Sequence, residues 1–303
     1  MVSLPEPGAF IELDEPALRH RVPVYRSGSG PAPRILVTAG LHGGETTGQY
    51  AAFRLIESLA ADPEVAGEVV VLPRCNPSAF RRMERTSPFD ELDMNRIFPG
   101  DAEGTPTQVL ASRVWDLARE ADYIVDLHCA GPYATPYTLA QYSEYENCRE
   151  LASLLDIPVV VQSGGSEGQL FVEAGRRGIP AVIIELPGGG PDGIIDLAAG
   201  EGTLGALRRL LTLLEVLPGE ASAPSPAFCD QLVRVTAPAD GLYLPRVAPG
   251  NGLGEDGIVG LLEAESVVTE GRGYCIKNRP PGYVFRGDAL AAVAPAAPGE
   301  ASG

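Results

Sequence analysis

Residues Arg34–Glu45, with the sequence RILVTAGLHGGE, set the fold of this chain. The run Arg34–Ala39 is short, apolar and rich in branched side chains, which predicts a buried β-strand. The strand ends at a glycine, and His42 and Glu45 follow it three residues apart. An imidazole and a carboxylate delivered at the end of a buried strand predict the first half of a binding site.

Two later strands end in the same way. The run Tyr123–Leu127 leads into His128. The run Pro180–Ile184 leads into Glu185. Helical periodicity between these runs gives a β-α-β order, which predicts an α/β fold with a mixed central sheet and helices on both faces. Ligands of such sheets bind outside the carboxyl ends of the strands, so we expect all three strand ends to meet at one rim.

Two histidines and one glutamate, with a water at the fourth position, are a typical donor set for catalytic zinc. We predict that His42, Glu45 and His128 bind one Zn²⁺ per chain. Glu185 is then the base that takes a proton from the water and returns it to the leaving amine. The chain has only three histidines, and the third, His20, is expected at the surface. The alternative for the two others is a hydrogen bond to a backbone carbonyl.

The polar stretch at residues 76–105 shows little periodicity and is expected to form a functional loop. A second long loop, rich in Tyr and Pro, is expected at residues 129–145. Its neighbours Asn95 and Arg96 can bind a substrate carboxylate, because a guanidinium grips a carboxylate as a fork and the amide adds a donor. Arg85 can lie over the carbonyl oxygen that becomes negative during attack. The alternative is that the arginines of this loop, including Arg81 and Arg82, pair with its own acids. Those acids are Asp90, Glu91 and Asp93.

Composition excludes several classes of partner. The formal charge of −17, without a basic patch, argues against nucleic acid and anionic membranes. No apolar stretch reaches the roughly 20 residues of a membrane span, and no secretory leader is recognisable, so we expect a cytoplasmic location.

The five cysteines lack a C-x-x-C pair and are expected to be reduced thiols. Cys129 adjoins His128, but neighbours in a strand face opposite sides, which argues against a nucleophilic pair. The sequence leaves a homo-oligomer open.

The chain changes character after the Pro/Gly/Ser-rich residues 218–226. We predict a catalytic domain over residues 1–220 and a small all-β, barrel-like domain over residues 227–303. The second domain resembles biotinyl/lipoyl-type domains, but Lys277 lacks the setting of an attachment lysine, so we expect a cap over the substrate entrance. One of its tyrosines can reach the site, and the candidates are Tyr243, Tyr274 and Tyr283.

Five ordered motifs carry a family resemblance: GLHGGE (40–45), NPSAF (76–80), ERTSPFDELDMNRIFPG (84–100), DLHCA (126–130) and VIIELPGGG (182–190). Together they resemble the succinylglutamate desuccinylase/aspartoacylase family, a branch of the zinc carboxypeptidase-like fold. The resemblance implies hydrolysis of an amide that joins an acyl group to an amino acid. By this resemblance, His42, Glu45 and His128 would be the zinc ligands, and Glu185 would be the general base. Asn95 and Arg96 would bind the substrate carboxylate, and Arg85 would stabilise the oxyanion.

Ser78 departs from this pattern, because relatives that act on acetyl-aspartate tend to have arginine there. The main hypothesis is therefore a zinc-dependent amidohydrolase whose substrate is a small molecule, an N-acyl amino acid or a similar carboxylate-bearing amide. One alternative is a metallocarboxypeptidase that acts on peptides. Another is a small-molecule binder that kept the fold without the reaction.

Overall fold

The computed structural model describes residues 4–297 apart from 16–17, 31–32, 63 and 270, without the side chains of residues 13–20. The surface position expected for His20 therefore lies outside the described residues. The helices are α1 (Thr46–Ala60), α2 (Pro77–Arg82), α3 (Pro106–Ala118), α4 (Glu146–Leu154), α5 (Leu170–Gly175) and α6 (Leu197–Leu213), with a 3-10 turn at Met94–Arg96. Among these described segments, no helix combines the length and the apolar character that a membrane crossing requires.

Strands β1 to β10 form the large sheet. They are β1 (Ala9–Glu15), β2 (Leu18–Ser27), β3 (Arg34–Ala39), β4 (Glu68–Leu72), β5 (Tyr123–Gly131), β6 (Tyr137–Ala140), β7 (Val159–Gln162), β8 (Ala181–Gly189), β9 (Ile194–Ile195) and β10 (Ala227–Cys229). Their spatial order is β1-β2-β4-β3-β5-β8-β6-β7-β10, with β9 paired to β8. The central strands β4, β3, β5 and β8 run parallel, whereas β6 is antiparallel to β8 and β2 to β4. The predicted mixed sheet is confirmed.

Apolar side chains on both faces of the sheet explain why helices cover both. In β3, Ile35 and Val37 point into one core with α1, α4 and α6. Leu36, which lies between them, points into a second core with α3 and α5. Successive side chains of a strand face opposite sides, so a continuous apolar run needs cover on each face. The helices on both faces, predicted from the chain order, are confirmed.

Two predicted loops contain regular structure. The 76–105 stretch includes α2. Asn76 is the N-cap residue of this helix, and its side chain accepts a hydrogen bond from the Ala79 amide at 3.1 Å. The stretch at 129–145, expected to be a loop rich in Tyr and Pro, holds the end of β5 and all of β6. Strand β6 has only four residues and follows Pro136, so its sequence shows little periodicity. It forms because β8 and β7 offer free edges on either side of it.

The C-terminal segment forms two antiparallel sheets around a core of its own. Its strands are β11 (Val233–Thr236), β12 (Gly241–Pro245), β13 (Ile258–Leu262), β14 (Glu265–Val268), β15 (Gly273–Asn278), β16 (Gly282–Val284) and β17 (Ala289–Pro295). One sheet has the order β11-β17-β15 and the other β14-β13-β12-β16. The first strand after the linker, β10, instead pairs in parallel with β7 of the large sheet. The small sheets therefore begin at β11, and the division of the chain into residues 1–220 and 227–303 stays a prediction.

Candidate active site

The glycines of the first motif let the loop after β3 pack closely against the 76–105 loop. The Gly43 amide donates to the Glu84 carbonyl at 2.8 Å. A Cβ at Gly43 would lie 1.9 Å from the Ala79 carbonyl oxygen, so only glycine fits at this position. Glu45 is the N-cap residue of α1 but does not cap the helix with its side chain. Its carboxylate is therefore free to turn toward the rim of the sheet.

Both histidines present the Nδ1 atom to that one carboxylate. His42 Nδ1 lies 2.8 Å from Glu45 Oε1. His128 Nδ1 lies 2.7 Å from Glu45 Oε2. One donor atom from each of the three side chains lies within 4.8 Å of the other two. Both imidazoles are only 3% exposed, so the three groups form a compact and nearly dry cluster.

The Nε2 atoms of the two histidines contact a second pair of carboxylates. Asp93 Oδ1 lies 2.9 Å from His42 Nε2, and Asp126 Oδ2 lies 2.8 Å from His128 Nε2. Asp126 is itself held by Thr38, whose hydroxyl donates to its other oxygen at 2.7 Å. Each of these carboxylates accepts a hydrogen bond from the protonated Nε2 of its histidine. In the neutral imidazole, Nδ1 then carries the lone pair that can bind a cation.

The charges of the cluster are shared among its members. Burial lowers the pKa of His128, but the carboxylates of Asp126 and Glu45 outweigh burial, and the pKa is raised well above its usual value. Burial raises the pKa of Glu45, but the two imidazoles outweigh burial, and its pKa is lowered well below the usual range. Without a cation, the protons on the two imidazoles therefore bridge them to the Glu45 carboxylate. A divalent cation that bound here would take the place of these protons.

Glu185 lies beside His128, since the two residues are direct partners on the parallel strands β8 and β5. Burial raises the pKa of Glu185 to about 7. Its Oε2 atom is inaccessible to solvent and has no hydrogen-bond partner among the described residues. Buried carboxylate oxygens without donors are rare and require an explanation. Two Nδ1 atoms, a carboxylate and a nearby base fit a zinc ion and its water.

The 76–105 loop brings Asn95 into this cluster. The side chain is 2% exposed, with its amide nitrogen 3.4 Å from His128 Nε2. Its amide oxygen accepts from the Leu170 amide at 2.9 Å. The Asn95 side chain is therefore held in place by α5 and presents its amide group to the cluster.

The two arginines of the loop are placed differently. Arg85 Nε donates to Asp93 Oδ2 at 2.8 Å, which is the pairing within the loop that the sequence left open. Arg96 donates from Nη1 to the Asn95 carbonyl at 2.6 Å, and no carboxylate of the described residues lies within ion-pair distance of it. Arg82 forms an exposed pair with Glu84, and Arg81 is exposed. Only Arg85 lines the cavity beside the cluster.

That cavity has a volume of about 320 Å³ and lies next to the three-residue cluster. Its walls include His42, Glu45, Arg85, Cys129, Gly131 and Gly190. Burial raises the pKa of the Cys129 thiol to about 12, so the thiol stays protonated at neutral pH. A protonated thiol does not provide a nucleophile next to His128.

The C-terminal segment reaches this region through a lysine. Lys277 Nζ, on β15, donates to the Ala130 carbonyl at 2.9 Å. Of the predicted tyrosines, Tyr243 is fully buried in the C-terminal core, where its hydroxyl donates to Asn278, and Tyr283 is exposed beside Phe285. Tyr274 is partly buried and packs against an apolar cluster that includes Tyr137. The tyrosine placed directly across from Glu185 is Tyr137 on β6, within the stretch that the sequence predicted as a loop.

Comparison with known proteins gives the family. Residues 31–211 match the sequence model of the succinylglutamate desuccinylase/aspartoacylase catalytic domain. The chain belongs to this family. The resemblance read from the five motifs is thereby confirmed.

Two curated relatives are deacylases by name. N-alpha-acetyl-L-2,4-diaminobutyric acid deacetylase of Halomonas elongata is 32% identical over 180 residues, which is 56% of this chain and 52% of the relative. Succinylglutamate desuccinylase of Pseudomonas paraeruginosa is 33% identical over 165 residues, which is 46% of this chain and 48% of the relative. The chain spans about half the length of the curated relatives it matches.

Solved structures match almost the whole chain. A succinylglutamate desuccinylase/aspartoacylase from Rhodobacter sphaeroides has a TM-score of 0.75 at 28% identity and covers 92% of this chain and 90% of its own. The product-bound ectoine utilization protein EutE (DoeB) from Ruegeria pomeroyi has a TM-score of 0.77 at 24% identity, with 97% of both chains covered. At that identity the second match shows the fold alone.

Proposed function

We propose that this chain is a zinc-dependent amidohydrolase that removes the acyl group from an N-acyl amino acid or a similar small amide with a carboxylate. One observation carries the proposal: donor atoms of His42, Glu45 and His128 lie within 4.8 Å of one another. Glu185 lies beside them, and its buried Oε2 atom has no hydrogen-bond partner among the described residues. The deacetylase and desuccinylase activities named for the two relatives support the same reaction class. Five free cysteines and the acidic composition suit a cytoplasmic enzyme.

In this proposal His42, Glu45 and His128 hold one zinc ion per chain. When bound, zinc polarises the substrate carbonyl and makes water acidic enough to attack near neutral pH. Asp93 and Asp126 keep the Nε2 protons in place, so that both Nδ1 atoms remain donors to the metal.

Glu185 moves the proton. Its carboxylate takes a proton from the attacking water as the new C–O bond forms, and then gives this proton to the nitrogen as the amide C–N bond breaks. The products are a carboxylate and a free amino acid, and one water is consumed. A pKa of about 7 suits both roles, because the group must accept and release a proton near neutral pH.

The cations of the 76–105 loop position the substrate. Arg96 has no carboxylate partner among the described residues, and with Asn95 it binds the substrate carboxylate. Arg85 lines the cavity and, on leaving Asp93, stabilises the negative oxygen of the tetrahedral intermediate. Both arginines are exposed before substrate binds, so binding reorganises them.

The C-terminal segment acts as a cap in this proposal. The Thr135 amide donates to the Ile276 carbonyl at 2.9 Å, so β15 runs along the segment that follows the cavity wall. A wall built from a second sheet restricts the approach of long chains and favours a small amide over a peptide.

A substrate panel tests the proposal. Release of free amine is measured from acetyl-, succinyl- and formyl-amino acids and from short peptides, with the chelated protein and the protein resupplied with zinc. We expect zinc-dependent release from at least one N-acyl amino acid. Faster cleavage of peptides would favour the metallocarboxypeptidase, and no release from any substrate would favour a binding protein.

A further inference from the structure

A second cavity lies behind the wall of the first. Its volume is about 590 Å³, and it is bounded by the segment at Pro132 and Tyr133 on one side and by the sheet β11-β17-β15 on the other. Three cations line it: Arg234, Lys277 and Arg279. None of the described residues that line it is an Asp or a Glu. The chain has a formal charge of −17, yet all the charged residues that line this cavity are cations, which points to an anionic ligand.

The strand register places two of these cations on either side of a small residue of the central strand. Arg234 on β11 and Lys277 on β15 are both direct partners of Ala292 on the central strand β17. Direct partners share a face of the sheet, so both side chains flank this alanine on the same side. With strands about 4.8 Å apart, the two backbones are separated by about 10 Å, which leaves room for a small ligand between the charged ends.

A bulge in β15 gives Lys277 its direction. Cys275 and Lys277 pair with the consecutive residues Val293 and Ala292, which leaves Ile276 as an extra residue. Bulges re-aim side chains. Here Cys275 lies in the C-terminal core, whereas Lys277 turns to the Ala130 carbonyl at 2.9 Å.

Two of the three cations have no anionic partner among the described residues. Arg279 is paired with Asp288 at 3.0 Å. In the described part of the chain no carboxylate lies within ion-pair distance of Arg234 or Lys277. Burial lowers the pKa of the Lys277 amine, the Glu185 carboxylate raises it and the Arg234 guanidinium lowers it further. A partly buried ammonium beside a second cation is stabilised when an anion binds to both.

We propose that Arg234 and Lys277 bind the carboxylate of a small organic anion in this cavity. Its apolar part packs on Leu290 and Pro132, which also line the cavity. Because Lys277 holds Ala130 and the next residue, Gly131, lines the catalytic cavity, the two cavities share one wall. The carboxylate belongs either to a distal end of the substrate or to a separate small acid. Anion binding in this cavity does not require that the protein be an enzyme. The possibility that the carboxylate belongs to the substrate rests on the proposed function.

The only lysine of the chain provides the test. Protein labelled with carbon-13 at lysine Cε gives a single side-chain signal, that of Lys277, which is followed by NMR during titration with succinate. We expect a saturable shift with succinate and none with the neutral analogue succinamide. Arg234→Gln should raise the midpoint about tenfold, the loss expected for one charge-assisted contact. The matched control Arg286→Gln removes an exposed arginine of the same segment outside the cavity and should leave the midpoint within about twofold.

Two outcomes overturn the proposal: no saturable shift of the Lys277 signal, or the same midpoint in Arg234→Gln and in the wild type. Succinate has no amide bond, so this titration measures binding without any turnover. Binding by a protein that hydrolyses no amide would therefore count against the proposed function alone.

Kinetics then separates the two sources of the carboxylate. If it belongs to the substrate, Arg234→Gln lowers the ratio of kcat/KM for N-succinyl-L-alanine over N-acetyl-L-alanine about tenfold. If it belongs to a separate acid, this ratio is unchanged while succinate still shifts the Lys277 signal. Both results support the site and differ only in its ligand.

Discussion

The groups at the strand ends and the groups on the 76–105 loop are held very differently. His42 follows β3, and His128 and Glu185 lie on neighbouring strands, so their positions follow from the backbone of the sheet. The side chains of Arg85 and Arg96 are exposed, and among the described residues their hydrogen-bond partners belong to their own loop. The strand-end groups are therefore held in place as the proposed metal site and base require, whereas the loop arginines can move as the proposed substrate binding requires.

Asn95 shows that the loop also has a fixed part. Its buried side chain contacts His128 and the first residue of α5, Leu170. The neighbouring Asp93 contacts His42. Asp93 and Asn95, which contact the histidines, are therefore fixed, whereas Arg85 and Arg96 are not. If this comparison is right, substitutions at the strand ends should cost more than substitutions of the loop arginines.

The largest effect is expected for Glu185→Gln. The amide cannot accept the proton of the attacking water, so kcat should fall by about 10³-fold or more. Metal content, measured on the same preparation, should stay that of the wild type because Glu185 is not among the three clustered donors. Retention of most of the activity would show that another group serves as the base.

The same substitution should change how stability depends on pH in the metal-free protein. The pKa of Glu185 is about 7 in the folded protein and near 4.5 when unfolded. Between these values the folded state keeps a proton that the unfolded state loses, so wild-type stability falls as pH rises from about 4.5 to 7. Glu185→Gln removes this loss, which is worth about 3 kcal/mol. Urea unfolding at pH 5 and pH 8 measures it, and parallel curves for both proteins would contradict the assigned pKa.

Asp126→Asn tests the carboxylates behind the histidines. Loss of the charge that holds the Nε2 proton of His128 should weaken zinc binding about 10–100-fold. Competition with a chelator measures the affinity. Asp116→Asn, a change at an exposed position on α3, is the matched control and should have no effect. Equal affinities for Asp126→Asn and the control would mean that this contact does not serve the metal.

The smallest effect is expected for Arg85→Gln. The guanidinium is about half exposed, and solvent weakens its interaction with the reaction intermediate. We expect kcat to fall about tenfold, less than for a donor in a dry oxyanion hole. Arg82→Gln, which breaks only the exposed pair with Glu84, is the control for loss of charge in the same loop. A loss as large as that of Glu185→Gln would mean that Arg85 is fixed before substrate binds.

The sequence was sufficient for the strand-end residues. Short apolar runs identify buried strands, and parallel strands bring their carboxyl ends to one rim, so the meeting of His42, Glu45, His128 and Glu185 could be expected. Asp126 could also have been found, because it lies two residues before His128 and side chains at i and i+2 of a strand share a face.

Other contacts depend on tertiary packing that the sequence does not show. Asp93 was expected only as a partner for loop arginines, and its second contact with His42 depends on how the loop folds over β3. Strand β17 is rich in alanine, which has low strand propensity, and forms because β11 and β15 pair on either side. Lys277 reaches Ala130 through that sheet and its bulge, so its position could not be read from the chain order.

Zinc binding to three proteins compared side by side tests the central claim most directly. Zinc per chain is measured after dialysis for the wild type, Glu185→Gln and His128→Ala. We expect about one zinc per chain in the first two proteins and none in the third, because two donors do not complete the site. A wild type that binds no zinc, or His128→Ala that binds it as tightly as the wild type, would contradict the assignment of His42, Glu45 and His128 as the metal ligands.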